Sequence, residues 1–241
     1  FFNIHPDYVE QLNTCFDNAV VEGISFTLKL KAWHEERKWI WTEIKGQPMF
    51  EDGKFKHILL IARDISSQQK YEESLLREAY FDVLTNLPNR RKLNALLMEV
   101  KSAIKKQHYF AVMLMDIDNF KHINDYYGHE IGDYVLVEFS KRMSDILEGT
   151  GMIGRYGGDE FVVLVPYNTQ QHVEDLAKHI ISEIQRPIEI QHTTISITTS
   201  IGIALVEEDV AIRSMLKCAD IALNERKGKG KNPFLFNRVM V

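Results

Sequence analysis

Apolar residues recur along the chain at two different periods. Val9, Leu12, Phe16 and Val20 are spaced by three and four, which predicts a helix near residues 5–20. Phe26, Leu28 and Leu30 alternate with polar neighbours, as do Trp39 and Trp41, and residues 57–65 form a further apolar run. Glu51-Asp52-Gly53-Lys54 supplies a turn between two of these strands. One helix and three strands make a thin unit, too small to bury both faces of a sheet unaided.

The composition then changes abruptly. Residues 65–79 are polar, free of Gly and Pro, and open with Ser66 and Ser67, which can cap a helix. Tyr71, Leu75 and Ala79 recur every four residues, with Leu76 and Tyr80 beside them, so one stripe of a long helix is apolar. Such a helix suits either pairing with a copy of itself or packing on its own domain. From residue 82 onward, strand and helix signals alternate. Residues 109–117 (YFAVMLMDI) read as a buried strand ending in acid, and residues 195–206 as a β-branched strand. Helices are predicted at 132–147 (Val135, Leu136, Phe139, Met143, Ile146, Leu147), across 173–184 (Val173, Leu176, Ala177, Ile180, Ile181, Ile184) and at 212–226 (Ile212, Met215, Leu216, Ala219, Leu223). The expected class is α+β, a sheet with helices packed on it, whose ligands collect at strand ends and in loops.

Composition narrows the functional classes. The chain has 241 residues, 45% of them hydrophobic, enough for one large or two small cores. A formal net charge of -5 argues against a general nucleic-acid binder, so any phosphate ligand must be met by local cations. Cys15 and Cys218 have neither metal-ligand nor redox-motif spacing, which points to a reduced, cytoplasmic compartment. No apolar stretch approaches the roughly 20 residues of a membrane helix. The chain opens on Phe1, as a segment of a longer protein would.

Chemistry concentrates around Arg155-Tyr156-Gly157-Gly158-Asp159-Glu160-Phe161, where two glycines deliver two carboxylates at the start of an apolar run. Gly157 and Gly158 can take the positive φ angles of a two-residue hairpin loop and leave backbone exposed for a ligand. Asp116 ends the 109–117 strand, and period two places Asp118 on the same face. Asp116 near Asp159 and Glu160 would offer hard oxygen ligands of the kind Mg²⁺ prefers. Lys121 is a local cation for phosphate, and Asn124 and Asp133 carry the donor and acceptor groups needed to read a purine edge. Together these roles are what metal-assisted phosphoryl or nucleotidyl transfer requires.

Residues 82–91 (DVLTNLPNRR), the segment from Asp116 to Asp133 and Gly157-Gly158-Asp159-Glu160-Phe161 resemble the GGDEF family of diguanylate cyclases. Residues 198–204 (TTSIGIA), Ala219-Asp220 and residues 227–232 (KGKGKN) extend the resemblance, which covers about residues 80–235. It implies a mixed central sheet surrounded by helices, related to nucleotidyl cyclases and the polymerase palm. It also implies condensation of two GTP molecules to cyclic di-GMP with release of two pyrophosphates, each domain of a homodimer holding one GTP. By the family pattern Asp116, Asp159 and the Ile117 carbonyl bind Mg²⁺ or Mn²⁺. Asn124 and Asp133 read guanine, and His129 stands in the same substrate-binding segment. Lys121, Lys227 and Lys231 meet the phosphates, beside the Gly157-Gly158 backbone. Glu160 either assists deprotonation of the attacking 3′-hydroxyl or serves a second metal. Asp118 is nominated by periodicity but not by the family pattern.

Departures from the family are informative. The positions of an Arg-x-x-Asp product-inhibition site hold Glu148 and Gly151, so inhibition through that site is not expected. Asn224 stands for the usual tyrosine, and Lys231 for the usual arginine, which keeps charge but loses bidentate geometry. His5-Pro6-Asp7, Trp39-Ile40-Trp41, Gly46-Gln47-Pro48, Asp52-Gly53-Lys54 and Ala62-Arg63-Asp64-Ile65-Ser66 resemble the C-terminal half of a PAS sensor domain. The expected organisation is therefore a partial PAS unit at 1–65, a signalling helix at 66–81 and a cyclase domain at 82–241. An active cyclase, a degenerate nucleotide-binding or interaction module, and a cyclase for another nucleotide are the competing functions.

Overall fold

The computed structural model describes residues 3–104, 109–190, 193–207, 211–229 and 234–238. They form two compact units, Phe1–Arg77 and Glu78–Val241.

In the first unit a 3₁₀ turn, Pro6–Tyr8, leads into helix α1 (Val9–Glu22), followed by an antiparallel meander of β1 (Phe26–His34), β2 (Lys38–Glu51) and β3 (Lys54–Asp64). Leu12 of α1 packs with Leu28, Leu30, Ala32 and Ile44, because the alternating residues of β1 and β2 put these on one face. The predicted 51–54 turn is present, with Asp52 and Gly53 both at positive φ. Among the described residues β3 pairs only with β2, and its Leu59, Leu60 and Ile61 are exposed. Helix α2 (Ser66–Tyr80) forms where the polar, glycine-free stretch predicts a helix, and Tyr71, Leu75 and Leu76 lie exposed on it. Its start differs from expectation. The Asp64 carboxylate accepts from Ser66 N–H at 2.8 Å, while the Ser66 hydroxyl accepts from Trp41 N–H. The carboxyl of Asp64 is held below its ordinary value chiefly by hydrogen bonding from Ser66, the backbone N–H first.

The second unit is built on a five-stranded mixed sheet of order β10-β9-β4-β6-β5. Its strands are β4 (Tyr109–Ile117), β5 (Met152–Gly157), β6 (Glu160–Tyr167), β9 (Thr199–Val206) and β10 (Phe234–Arg238), with only β10 and β9 parallel. A separate hairpin joins β7 (Ile188–Ile190) and β8 (Thr193–Ile195). Helices α3 (Arg90–Ile104) and α7 (Ile212–Lys229) cover one face of the sheet, packing Leu93, Leu97, Met215 and Ala219 on Val112, Leu114, Val162 and Leu164. The other face packs Met113, Met115, Phe161 and Ile203 under α5 (His129–Leu147) and α6 (Gln170–Ile184). Burial on both faces is why β4 and β6 read as unbroken apolar runs. A Cβ at Gly202 would overlap the α7 backbone at Ala219 and Leu223, so this glycine lets α7 sit directly on β9.

One sequence expectation changes, and one helix is present that periodicity did not predict. The 195–206 strand is interrupted: β4 ends at Ile117 opposite Thr199, so residues 196–198 have no β4 partner strand and β8 and β9 are distinct. Helix α4 (Phe120–Tyr127) fills the stretch after β4, launched by Asn119 at φ 57°. Only Ile123 of α4 is buried, too little apolar signal for periodicity to register.

Candidate active site

The end of β4 and the tip of the β5–β6 hairpin form one ladder. Asp116 lies opposite Glu160 on one side and Ser200 on the other. Residues directly opposite in a sheet project to the same side, so Asp116, Glu160 and Ser200 share the face covered by α7. Ile117 N–H reaches the Asp159 carbonyl at 3.4 Å, tying the strand end to the hairpin tip. Thr199 Oγ1 donates to the Asp116 carbonyl at 2.9 Å. The structure thus brings Asp116, Ile117, Asp159 and Glu160 together through backbone register alone.

The hairpin turns one residue later than the sequence suggests. Gly157 already pairs with Glu160, and Gly158 and Asp159 form the loop. Gly158 alone has positive φ, 56°, so the second loop position falls on Asp159 itself and places that carboxylate at the tip. A Cβ at Gly157 or Gly158 would meet nothing within 4 Å, which leaves the loop backbone open to a ligand.

Arg155 braces this tip, a role that sequence reasoning did not assign. Its Nε donates to the Gly158 carbonyl and its Nη1 to Asp82 Oδ1, both at 2.9 Å, while its own N–H donates to the Pro88 carbonyl. Asp82 also accepts from Thr85 N–H and Oγ1. Burial pushes the Asp82 carboxyl up, but the bonds from Thr85 and Arg155 outweigh it and hold the group below its ordinary value. The signal available was a lone arginine inside the otherwise uncharged β5 and the Asp-x-x-Thr spacing at 82–85.

Asn124 and Asp133 sit at the α4–α5 corner. Gly128, at φ 87°, donates to the Asn124 carbonyl and accepts from Gly132 N–H, so one helix turns into the next. A Cβ at Gly132 would overlap Asn124 Oδ1, so the glycine lets the Asn124 amide lie against the first turn of α5, next to Asp133. His129 opens α5 and Lys121 lies in the first turn of α4; both are exposed, as is Asp133. Lys227 belongs to α7, and Lys231 lies outside the described residues.

The Asp118 carboxylate is engaged by hydroxyls. It accepts from Thr198 Oγ1 at 2.6 Å and from Ser200 Oγ, and the Asp118 N–H donates to the Thr198 carbonyl. Among the described residues no three His, Cys, Asp or Glu side chains gather as a self-sufficient metal cage. The donor set fits Mg²⁺ or Mn²⁺ in another way, since Mg²⁺ is commonly held by one or two carboxylates completed by substrate phosphates and water.

The family model for "Diguanylate cyclase, GGDEF domain" matches residues 79–233, and the chain belongs to this family. It is 35% identical over 193 residues to signaling protein YkoW of Bacillus subtilis, covering 78% of this chain and 24% of that protein. It is 36% identical over 173 residues to MucR of Pseudomonas aeruginosa, a bifunctional diguanylate cyclase/cyclic di-GMP phosphodiesterase, covering 71% of this chain and 25% of MucR. The chain thus spans about a quarter of the length of these relatives. The coiled coil and GGDEF domain of DgcB from Caulobacter crescentus, solved in complex with c-di-GMP, superposes with a TM-score of 0.65 at 27% identity, over 72% of this chain and 93% of that one. No helix among the described residues is long and apolar enough to cross a membrane.

Proposed function

We propose that this chain is a metal-dependent diguanylate cyclase that condenses two GTP molecules to cyclic di-GMP and releases two pyrophosphates. The observation that carries the reading is the ladder that puts Asp116, Ile117, Asp159 and Glu160 at one strand end inside a family-matched domain. In each half-reaction the 3′-hydroxyl of one GTP attacks the α-phosphorus of the other, the bond to the β-phosphate oxygen breaks, and pyrophosphate leaves. Asp116, Asp159 and the Ile117 carbonyl would hold Mg²⁺ or Mn²⁺, which polarises the phosphoryl oxygen and offsets charge on the leaving pyrophosphate. Asn124 and Asp133 orient guanine, with His129 beside them. The open Gly157-Gly158 backbone admits the phosphates, and Lys121, Lys227 and Lys231 neutralise them. Glu160 accepts the 3′-hydroxyl proton or supports a second metal.

Each domain offers one such half-site, so the reaction calls for a homodimer. The apolar stripe of α2 supports pairing through that helix, and the first unit, read as a partial PAS sensor, would set the spacing in a cytoplasmic signalling protein that binds GTP and no nucleic acid. Glu148 replaces a phosphate-attracting arginine, so cyclic di-GMP does not inhibit through that site; strong inhibition abolished by changing Glu148 or Gly151 would refute this.

Relatives named only as cyclic di-GMP phosphodiesterases, NbdA of Pseudomonas aeruginosa and PdeR of Escherichia coli, favour together with the partial coverage one second reading, a nucleotide-binding module without catalysis inside a longer phosphodiesterase. Incubating a demonstrably dimeric preparation with GTP and Mg²⁺ or Mn²⁺, and analysing nucleotides by anion-exchange chromatography, separates the two. Cyclic di-GMP supports the cyclase; its absence supports the silent module.

A further inference from the structure

We propose that Asp118 is a positioning residue for the metal-binding end of β4, acting through a clamp on β9 and not as a ligand itself. This rests on the cyclase reading of the Asp116, Ile117 and Asp159 group. Three bonds converge within three residues: Asp118 Oδ2 accepts from Thr198 Oγ1 at 2.6 Å, Oδ1 accepts from Ser200 Oγ, and Asp118 N–H donates to the Thr198 carbonyl at 2.9 Å. Ser200 is itself the residue opposite Asp116, and Thr199 Oγ1 holds the Asp116 carbonyl at 2.9 Å.

The need for such a clamp follows from where β4 ends. The β4–β9 ladder stops at the Ile117 and Thr199 pair, and the chain leaves the sheet at Asn119 in a left-handed conformation. Without a further tie, the carbonyl of Ile117 would belong to a fraying strand end. Residues 196–198 lack a β4 partner strand on the facing side, so the same fraying would affect Thr198. The Asp118 carboxylate adds two side-chain ties to the backbone bond that carries the register one residue past the end of the ladder, from Ile117 to Asp118. Charge-assisted hydrogen bonds are short and strong, and partners that orient metal ligands typically govern metal affinity by 10 to 100-fold. With both carboxylate oxygens engaged by hydroxyls, Asp118 fixes the direction of its neighbours and leaves ligation to Asp116.

The test is Mn²⁺ binding, read by loss of the free-ion paramagnetic resonance signal, in the presence of a GTP analogue whose α,β-bridge is methylene and cannot be cleaved. Asp118→Ala is expected to weaken Mn²⁺ uptake roughly tenfold, and Asp118→Asn less, because its amide oxygen still accepts one hydroxyl. Asp116→Ala should weaken it further than either. The Thr198→Val/Ser200→Ala pair should reproduce the Asp118→Ala loss, and combining all three should add little. That pair leaves the carboxylate in place, so it reports on the clamp even if Asp118→Ala fails to fold. Mn²⁺ uptake by Asp118→Ala equal to wild type would reduce Asp118 to a purely structural residue, and a loss equal to that of Asp116→Ala would make it a direct ligand; either overturns the proposal. Wild-type protein that takes up no Mn²⁺ with the analogue overturns it too. Wild-type protein that binds both yet makes no cyclic di-GMP from GTP refutes the cyclase reading alone.

Discussion

The two sheets of this chain are opposites in how they are covered. The five-stranded sheet of the second unit is buried under helices on both faces, and every residue of β9 is buried. The three-stranded sheet of the first unit has one helix on one face and leaves Leu59, Leu60 and Ile61 exposed on β3. Covered strands can present charged residues at their ends with little freedom, because the apolar residues behind them fix the register. Asp116 follows six consecutive β4 residues that are buried or half-buried, and Glu160 precedes the buried run of β6. A thin sheet gives no such platform.

The sharpest way to break this contrast is to hollow out the covered sheet. Phe139 of α5 is fully buried with its ring 4.6 Å from that of Phe161, directly behind the hairpin. Phe139→Ala should cost about 3 to 5 kcal/mol, read by chemical denaturation, with the loss confined to the second unit in hydrogen exchange. Leaving the first unit equally destabilised would refute the separation.

Next in size is the brace. Asp82→Asn should cost about 2 kcal/mol, the scale of hydrogen bonds to a charged group, and should raise hydrogen exchange at Gly158 and Asp159. Because the folded carboxyl titrates below its ordinary value of 3.8, its stabilisation is complete above that pH and is lost as the pH falls through the lower folded value. Stability curves of wild type and Asp82→Asn should therefore converge on acidification below about pH 3.8. Divergence there would contradict the assignment.

Arg142 sharpens the helical side of the comparison. Its guanidinium donates to the carbonyls of Glu183, Ile184, Arg186 and Pro187, closing the end of α6, while Nε meets Glu138. Arg142→Lys keeps the charge but loses the planar fork, and about 1 kcal/mol should go with it. The smallest effect belongs to the uncovered sheet. Leu60→Ser on exposed β3 should shift stability by less than about 0.5 kcal/mol, whereas a larger loss would show that something covers this strand in solution.

These same differences decide what was legible in the sequence. The limits of β4 follow from its unbroken apolar run, and the connector helix from its polar, glycine-free composition. Asp159 and Glu160 stand out as candidates because the glycines before them mark a turn, and Asp116 because it ends an apolar run. The phase of that turn was not, since either glycine permits positive φ and the choice depends on how β5 and β6 pair. Helix α4 escaped because only one of its residues is buried. The Asp82 and Arg155 contact joins residues 73 positions apart, and the Asp118 to Thr198 contact spans 80, so neither leaves a local trace. Period two correctly put Asp118 on the face of Asp116; that its carboxylate is taken up by hydroxyls is a fact of β9.

The most direct test of the account is one measurement of product. A dimeric preparation of the wild-type chain supplied with GTP and Mg²⁺ should yield cyclic di-GMP and two pyrophosphates per product, and Asp159→Ala, folded and dimeric, should lose at least about 100-fold in rate. Equal turnover by Asp159→Ala, or no cyclic di-GMP from the wild-type dimer, would contradict it.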